Sequence, residues 1–281
     1  MPTNNPYQID PELWDKIQNL RLLDDLLMQT VLDDFIPGVE LILRIILQKP
    51  DLTVTKLTVQ KVLPNLATRD LRLDIQAIDS NGKHYNIEVQ RSDTGAKPKR
   101  PRFHSALMDV QFLKKGMETE DLPETYVIFI TEHDVLQHGL PVYHIERVVM
   151  ETGEPFGDLA HIVYANGAYE GEDDMGRLMS DFRARNPDEM HFSLLADHVR
   201  EMKSNQKGVM EMSSVLEEMY NKGRNKGRNE VRNEGHVDWL SRIMLRHGWS
   251  LEQAMDCVGL SPEEKTLYEP LVRKKLAKAI S

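Results

Sequence analysis

Asp74 and Glu88 are the residues of this chain whose type and spacing point most directly to chemistry. Each lies in a short run that alternates apolar and polar residues, Leu71–Ile78 and Tyr85–Gln90, and Asp79–Gly82 between them has the composition of a tight turn. A loop of Ser80, Asn81 and Gly82 pairs Asp79 with Lys83. Counting outward sets Ala77 against Tyr85, Ile75 against Ile87 and Leu73 against Val89, so that one face is wholly apolar. The other face carries Gln76 beside Asn86, Asp74 beside Glu88 and Arg72 beside Gln90. A slip of one residue would put Asp74 against Val89 and mix the faces. Like charges directly opposite one another are destabilising, so this register calls for a counter-charge, and a divalent cation is the natural candidate. The plainer alternative, a solvated acid paired with Arg72 or Lys83, stays open for either carboxylate taken alone.

Other elements must hold this hairpin in place. Asp10 and Pro11 read as a helix start, followed by Leu13, Ile17 and Leu20 at helical spacing, and residues 38–47 form a second helix with Leu41, Ile42, Ile45 and Ile46 buried. The β-branched run 53–59 makes a first strand and the hairpin supplies two more. Residues 102–115 are expected as a helix with Phe103, Ala106, Leu107, Val110 and Leu113 on its buried stripe. The apolar run Tyr126–Ile130 suits a buried strand, and residues 141–149 extend the sheet. Residues 155–200 read as mainly helical. The order is α, β, β, β, α, β.

This constellation resembles the PD-(D/E)XK nuclease superfamily, and within it the transposase-associated branch of Rpn-like recombination-promoting nucleases. There an Asp on one strand is followed by Glu-x-Lys on the next; here the matching residues are Asp74 and Glu88-Val89-Gln90, with Gln in place of Lys. Leu22–Met28, Arg102–Asp109, and Leu122–Ile130 with Gly139-Leu-Pro141 behind it are similar to the same branch, so the resemblance covers roughly residues 20–150. It implies an α/β restriction-endonuclease-like core, a mixed central sheet flanked by helices, that cuts DNA phosphodiesters with Mg²⁺ or Mn²⁺. Asp74 and Glu88 would hold the metal together with the backbone carbonyl of Val89, in keeping with the preference of Mg²⁺ for one or two carboxylates and several waters. Gln90 would position the attacking water, although a neutral amide brings no positive charge. Asp25, or its neighbour Asp24, would support the metal through a water.

Around this centre, Lys97, Lys99, Arg100 and Arg102 place four cations in six residues at a helix start and are expected to meet the DNA backbone. His104 follows, as a phosphate contact, a proton carrier or simply a satisfied polar residue. Arg72, beside Gln90 in the expected register, is a candidate for the missing charge, with a surface ion pair as the equal alternative.

Composition limits the other classes. The chain has 281 residues, 40% hydrophobic and 28% charged, enough for one substantial core and a smaller module. One cysteine, Cys257, excludes an internal disulfide framework and a Cys-rich zinc site. The start at Met1 has neither a basic segment nor an apolar core, and no run is long enough to span a membrane, so a cytoplasmic protein without membrane contact is expected. A net charge of −10 argues against coating nucleic acid by bulk electrostatics. Phosphate-loop and nucleophile-elbow motifs are missing from the sequence.

The expected organisation is a nuclease-like domain over 1–200, a helical and basic linker over 201–235, and a small helical module over 236–281. The quasi-repeat in Asn221–Gly235 is rich in Gly and Asn, which oppose an isolated helix, and reads as a connector. Ser250 with Gln253, and Ser261 with Pro262 and Glu264, mark two helix starts; Glu263 and Glu264 argue against base reading by the second. These helices are expected to serve structure or self-association, including a homo-oligomer. The expected function is a metal-dependent DNA endonuclease of recombination or mobile elements. A DNA- or protein-binding member of the same fold without turnover, and a self-assembling interaction protein, are its rivals.

Overall fold

The computed structural model of the chain describes residues 6–63, 71–91 and 93–280, with side chains placed at all of these except 60–63, 71–73, 93, 94, 226 and 278–280. The hairpin turn forms as the sequence requires. The Asp79 amide donates to the Lys83 carbonyl at 3.0 Å, and Asp79 Oδ1 accepts from the amides of Asn81 and Lys83. Gly82 takes φ +77°, a left-handed conformation in which a Cβ would be strained. The strands β2 (Leu71–Asp79) and β3 (His84–Gln90) then pair in the expected register, Ala77 with Tyr85, Gln76 with Asn86 and Ile75 with Ile87.

Four further strands complete a six-stranded sheet: β1 (Val54–Leu63), β4 (Thr125–Thr131), β5 (Val142–Ile145) and β6 (Ala160–Asn166), in the order β1-β2-β3-β4-β6-β5. β1, β2 and β3 are antiparallel, β3, β4 and β6 run parallel, and β5 closes the edge antiparallel to β6. The mixed sheet with flanking helices is the expected α/β restriction-endonuclease-like architecture. On one face lie the apolar residues Ile75, Ala77, Ile87, Val89, Ile128 and Ile130, all buried. Of α1 (Pro11–Gln18), α2 (Asp25–Leu32), α3 (Ile36–Leu47), α5 (Asp174–Arg183) and α6 (Ser193–Ser204), α2 and α3 pack against the strands, and α5 and α6 pack against those two helices. α1 is capped by Asp10, whose carboxylate accepts from the Glu12 amide at 2.8 Å.

The opposite face is covered by α4 (Lys99–Phe112), and here the sequence expectation fails. The helix starts three residues earlier than expected and includes Pro101 in its first turn, where a missing N–H costs nothing. Its buried side is Pro101, His104, Ser105 and Met108, while Phe103, Val110 and Leu113 of the expected stripe are 44%, 71% and 37% exposed. The cause lies underneath. α4 covers the polar side of the hairpin, Asn86 and Glu88, so the helix turns polar groups inward. Met108 packs with Ala96, Val127, Phe129, Tyr143 and Tyr164 farther along.

β6 is a second correction. Residues 160–166 fall within the stretch read as mainly helical, yet they form a strand parallel to β4. A strand covered on both faces shows no alternation, and the short Ile-Val-Tyr-Ala run carries no period of its own.

The chain divides into two compact units, residues 1–215 and 216–281, and the division falls within α7 (Gln206–His247). Asn221–Gly235, read as a connector, is thus part of a continuous helix. Its low propensity is offset by apolar turns on either side of it, Val209 and Met212 before and Val237 and Leu240 after, all buried. In the second unit, Val237 and Leu240 pack with Ala254 and Met255 of α8 (Leu251–Val258) and with Tyr268 and Val272 of α9 (Pro262–Ile280). Ser250 and Gln253 form the expected capping box, and Ser261 and Glu264 exchange the same pair of bonds. No helix among the described residues is long and apolar enough to cross a membrane.

Candidate active site

The ladder between β2 and β3 ends at Ile75 and Ile87. Beyond it β2 continues along β1 as far as Leu71, and β3 continues along β4 as far as Gln90. Asp74 and Glu88 therefore meet where two strands part, and the expected ladder pairs Leu73 with Val89 and Arg72 with Gln90 do not form. Side chain to backbone bonds replace them: the Asp74 amide donates to Glu88 Oε1 at 3.2 Å, and the Val89 amide donates to the Asp74 carboxylate. Gln29 of α2 adds a bond to Asp74 Oδ1 at 3.2 Å.

Glu88 is 1% exposed. Its Oε1 accepts from Asn86 Nδ2 at 3.1 Å and faces His104 Nδ1 at 3.5 Å. Its Oε2 is buried and makes no hydrogen bond among the described residues, with Arg100 Nη2 the facing cation at 3.6 Å. An orphaned carboxylate oxygen in a low-dielectric site is costly. Asp74 responds to the same shortage of positive charge: burial first, then Glu88 and Asp25, push its carboxyl up to about 8, against the opposing pull of Arg100 and the Val89 amide. At neutral pH a carboxyl raised this far is mostly protonated.

The two acids at the start of α2 part company. Asp24 is committed, accepting from Arg91 Nη1 at 2.7 Å and from the Arg21 amide at 2.7 Å. Asp25 faces the carboxylates. Its residue is exposed as a whole, but desolvation of the carboxyl, and then the Glu88 charge, raise its pKa.

Gln90, Arg100 and His104 form the third side of the site. Arg100 Nη1 donates to Gln90 Oε1 at 2.8 Å and to the Gly95 carbonyl at 3.1 Å, and its Nε approaches His104 Nε2 at 3.4 Å. His104 is 1% exposed against the Phe129 ring, which removes it from direct contact with a DNA backbone. Its Nε2 faces the Arg100 Nε–H, and its Nδ1 faces both Glu88 Oε1 at 3.5 Å and Asn86 Nδ2 at 3.4 Å. The four cations of the basic run thus separate: Lys97, Lys99 and Arg102 are exposed, while Arg100 turns into the site. The side chain of Arg72 lies outside the described residues; its backbone pairs with Val62.

Among the described residues no three His, Cys, Asp or Glu groups form a metal cage. The donor set is two carboxylates brought together at a strand fork, one oxygen of which, Glu88 Oε2, has no hydrogen-bond partner among the described residues, and it suits a hard cation that keeps most of its waters. Sequence reasoning missed Asn86 and Gln29 as partners of the acids. Asn86 stood on the polar face of the register, two residues before Glu88 and so on the same side of its strand; Gln29 gave no signal.

Residues 41–167, which contain all six strands, match the family described as PD-(D/E)XK nuclease family transposase. No curated protein and no solved structure matches the chain. The matched segment brings Asp74, Glu88 and Gln90 to one fork of its sheet, and over residues 41–167 the chain is similar to the PD-(D/E)XK nuclease family transposases.

Proposed function

We propose that the chain is a metal-dependent endodeoxyribonuclease that hydrolyses DNA phosphodiester bonds with Mg²⁺ or Mn²⁺, in recombination or the movement of a mobile element. The observation that carries this reading is the buried Glu88 oxygen without a hydrogen bond among the described residues, beside a carboxyl, Asp74, that burial and its neighbours push up to about 8. Asp74 and Glu88, with the carbonyl of Val89, are the groups that would hold the ion. When bound, a divalent cation polarises a phosphate and lowers the pKa of an attacking water.

The chain's own residues do the rest. Lys97, Lys99 and Arg102, exposed at the start of α4, grip the DNA backbone. Asp25 receives a hydrogen bond from water entering the mouth of the site. His104 and Asn86 hold Glu88 Oε1 so that Oε2 stays directed at the ion. Gln90 has its oxygen engaged by Arg100, which leaves its amide N–H groups to orient the water.

A second reading, DNA binding without turnover, is favoured by one residue: the neutral Gln90 in place of the motif lysine. The test is nicking of supercoiled plasmid by the full chain with Mg²⁺ or Mn²⁺, beside Asp74→Ala and Glu88→Ala. Metal-dependent nicking lost in both variants supports the nuclease. DNA retention without nicking by the parent supports the binder and removes the nuclease reading. Absence of both, with a concentration-dependent oligomer, points to assembly through the carboxy-terminal helices.

A further inference from the structure

We propose that Arg100 supplies the positive charge that Gln90 lacks, and that its guanidinium meets the phosphate under attack. This rests on the nuclease reading above and assigns a residue within it. The sequence grouped Arg100 with Lys97, Lys99 and Arg102 as one backbone-binding patch; the helix phase of α4 separates it from them. Arg100 and His104 are four residues apart and lie on the same side of α4, so the side that buries His104 carries Arg100 over the Glu88 carboxylate.

The guanidinium is held as a positioned group is held. Gln90 Oε1 and the Gly95 carbonyl accept from Nη1, His104 Nε2 faces Nε, and the Phe129 ring centroid lies 5.8 Å from Cζ. Gly95 leaves room for this arrangement: a Cβ there would displace Gln90 Oε1 from its place and close on Arg100 Nη1. Three of the five N–H donors are therefore engaged. The two on Nη2 make no hydrogen bond among the described residues; they face Glu88 Oε2 from 3.6 Å, and the side chain remains 40% exposed. A group with a fixed plane, two open donors and access from solvent, next to the carboxylate that would hold the ion, is suited to a phosphate oxygen. Gln90 is then a positioning residue for Arg100, and its amide serves charge delivery without bearing charge.

The test compares the full chain with Arg100→Gln, Arg100→Lys and the double variant Gln90→Lys/Arg100→Gln. Three quantities are read: nicking rate at saturating Mn²⁺, Mn²⁺ affinity by calorimetry, and duplex affinity against salt without added metal. Arg100→Gln is expected to lose about 100-fold or more in nicking rate, the scale of removing one charge-stabilising donor. Its salt slope for DNA falls by about one. Its Mn²⁺ affinity rises by about tenfold, because a guanidinium no longer competes for Glu88. Arg100→Lys retains part of the rate, and the double variant regains at least about tenfold of what Arg100→Gln loses, since a lysine at 90 returns the charge to the same site. Nicking by Arg100→Gln within about threefold of the parent overturns the assignment while leaving the nuclease reading intact. So does a loss of rate accompanied by weaker Mn²⁺ binding, the signature of a structural role. A parent that binds Mn²⁺ and nicks nothing overturns both readings.

Discussion

Replacing Asp74 by asparagine should make the metal-free protein more stable, and increasingly so as pH rises. In the folded chain the Asp74 carboxyl is pushed from its ordinary 3.8 to about 8 by burial, Glu88 and Asp25. A raised acid binds more protons folded than unfolded between those two values, so its contribution to stability falls as pH climbs through that window. With 1.36 kcal/mol for each pH unit between the two titrations, the loss from pH 5 to pH 8 comes to about 3.5 kcal/mol. An asparagine in this position cannot ionise, and its amide can still accept from Gln29 and the Val89 amide while donating to Glu88. The variant should therefore lack this share of the slope. The assay is urea unfolding of parent and Asp74→Asn with chelator present, at pH 5, 6.5 and 8, followed through the transition of the 1–215 unit. Excess divalent cation should then reverse the order at pH 8, because ligand bound to the folded state alone adds stability to the parent. If the two proteins lose stability in parallel within about 1 kcal/mol over this range, the picture of a cation-deficient carboxylate pair is refuted.

Two further substitutions test the surroundings. Gly95→Ala should lower nicking by about 100-fold by driving Gln90 and Arg100 apart, an effect of misplacement; unchanged nicking and an unchanged far-ultraviolet spectrum would show that the close approach at Gly95 is immaterial. Ser250→Ala removes half of the capping box of α8 and should cost about 1 kcal/mol. That cost should appear in unfolding followed at Trp239 and Trp249, and the 1–215 unit should melt unchanged.

Much of the site was legible because a hairpin obeys local rules. The turn at Ser80–Gly82 and the alternation of its flanks leave one register that segregates the faces, and Ala77, Tyr85, Ile75 and Ile87 pair accordingly. The pattern misleads where the partner surface decides. Phe103, Val110 and Leu113 have helical spacing and look like a core stripe, yet α4 rests on Asn86 and Glu88 and so buries His104 and Ser105 instead. Asp24 and Asp25 are indistinguishable neighbours until Arg91, arriving from the end of β3, takes Asp24.

By itself the sequence determined the identities of Asp74 and Glu88, the turn that joins their strands, and the register of the hairpin as far as Ile75 and Ile87, all consequences of side-chain alternation. Tertiary structure alone decided that the β2–β3 ladder stops at Ile75 and Ile87, that Asp25 rather than Asp24 faces the acids, and that Arg100 is the cation turned toward them. Those choices depend on which element lies across the polar face and at what phase, and a one-dimensional pattern of cations carries no phase until the helix is seated.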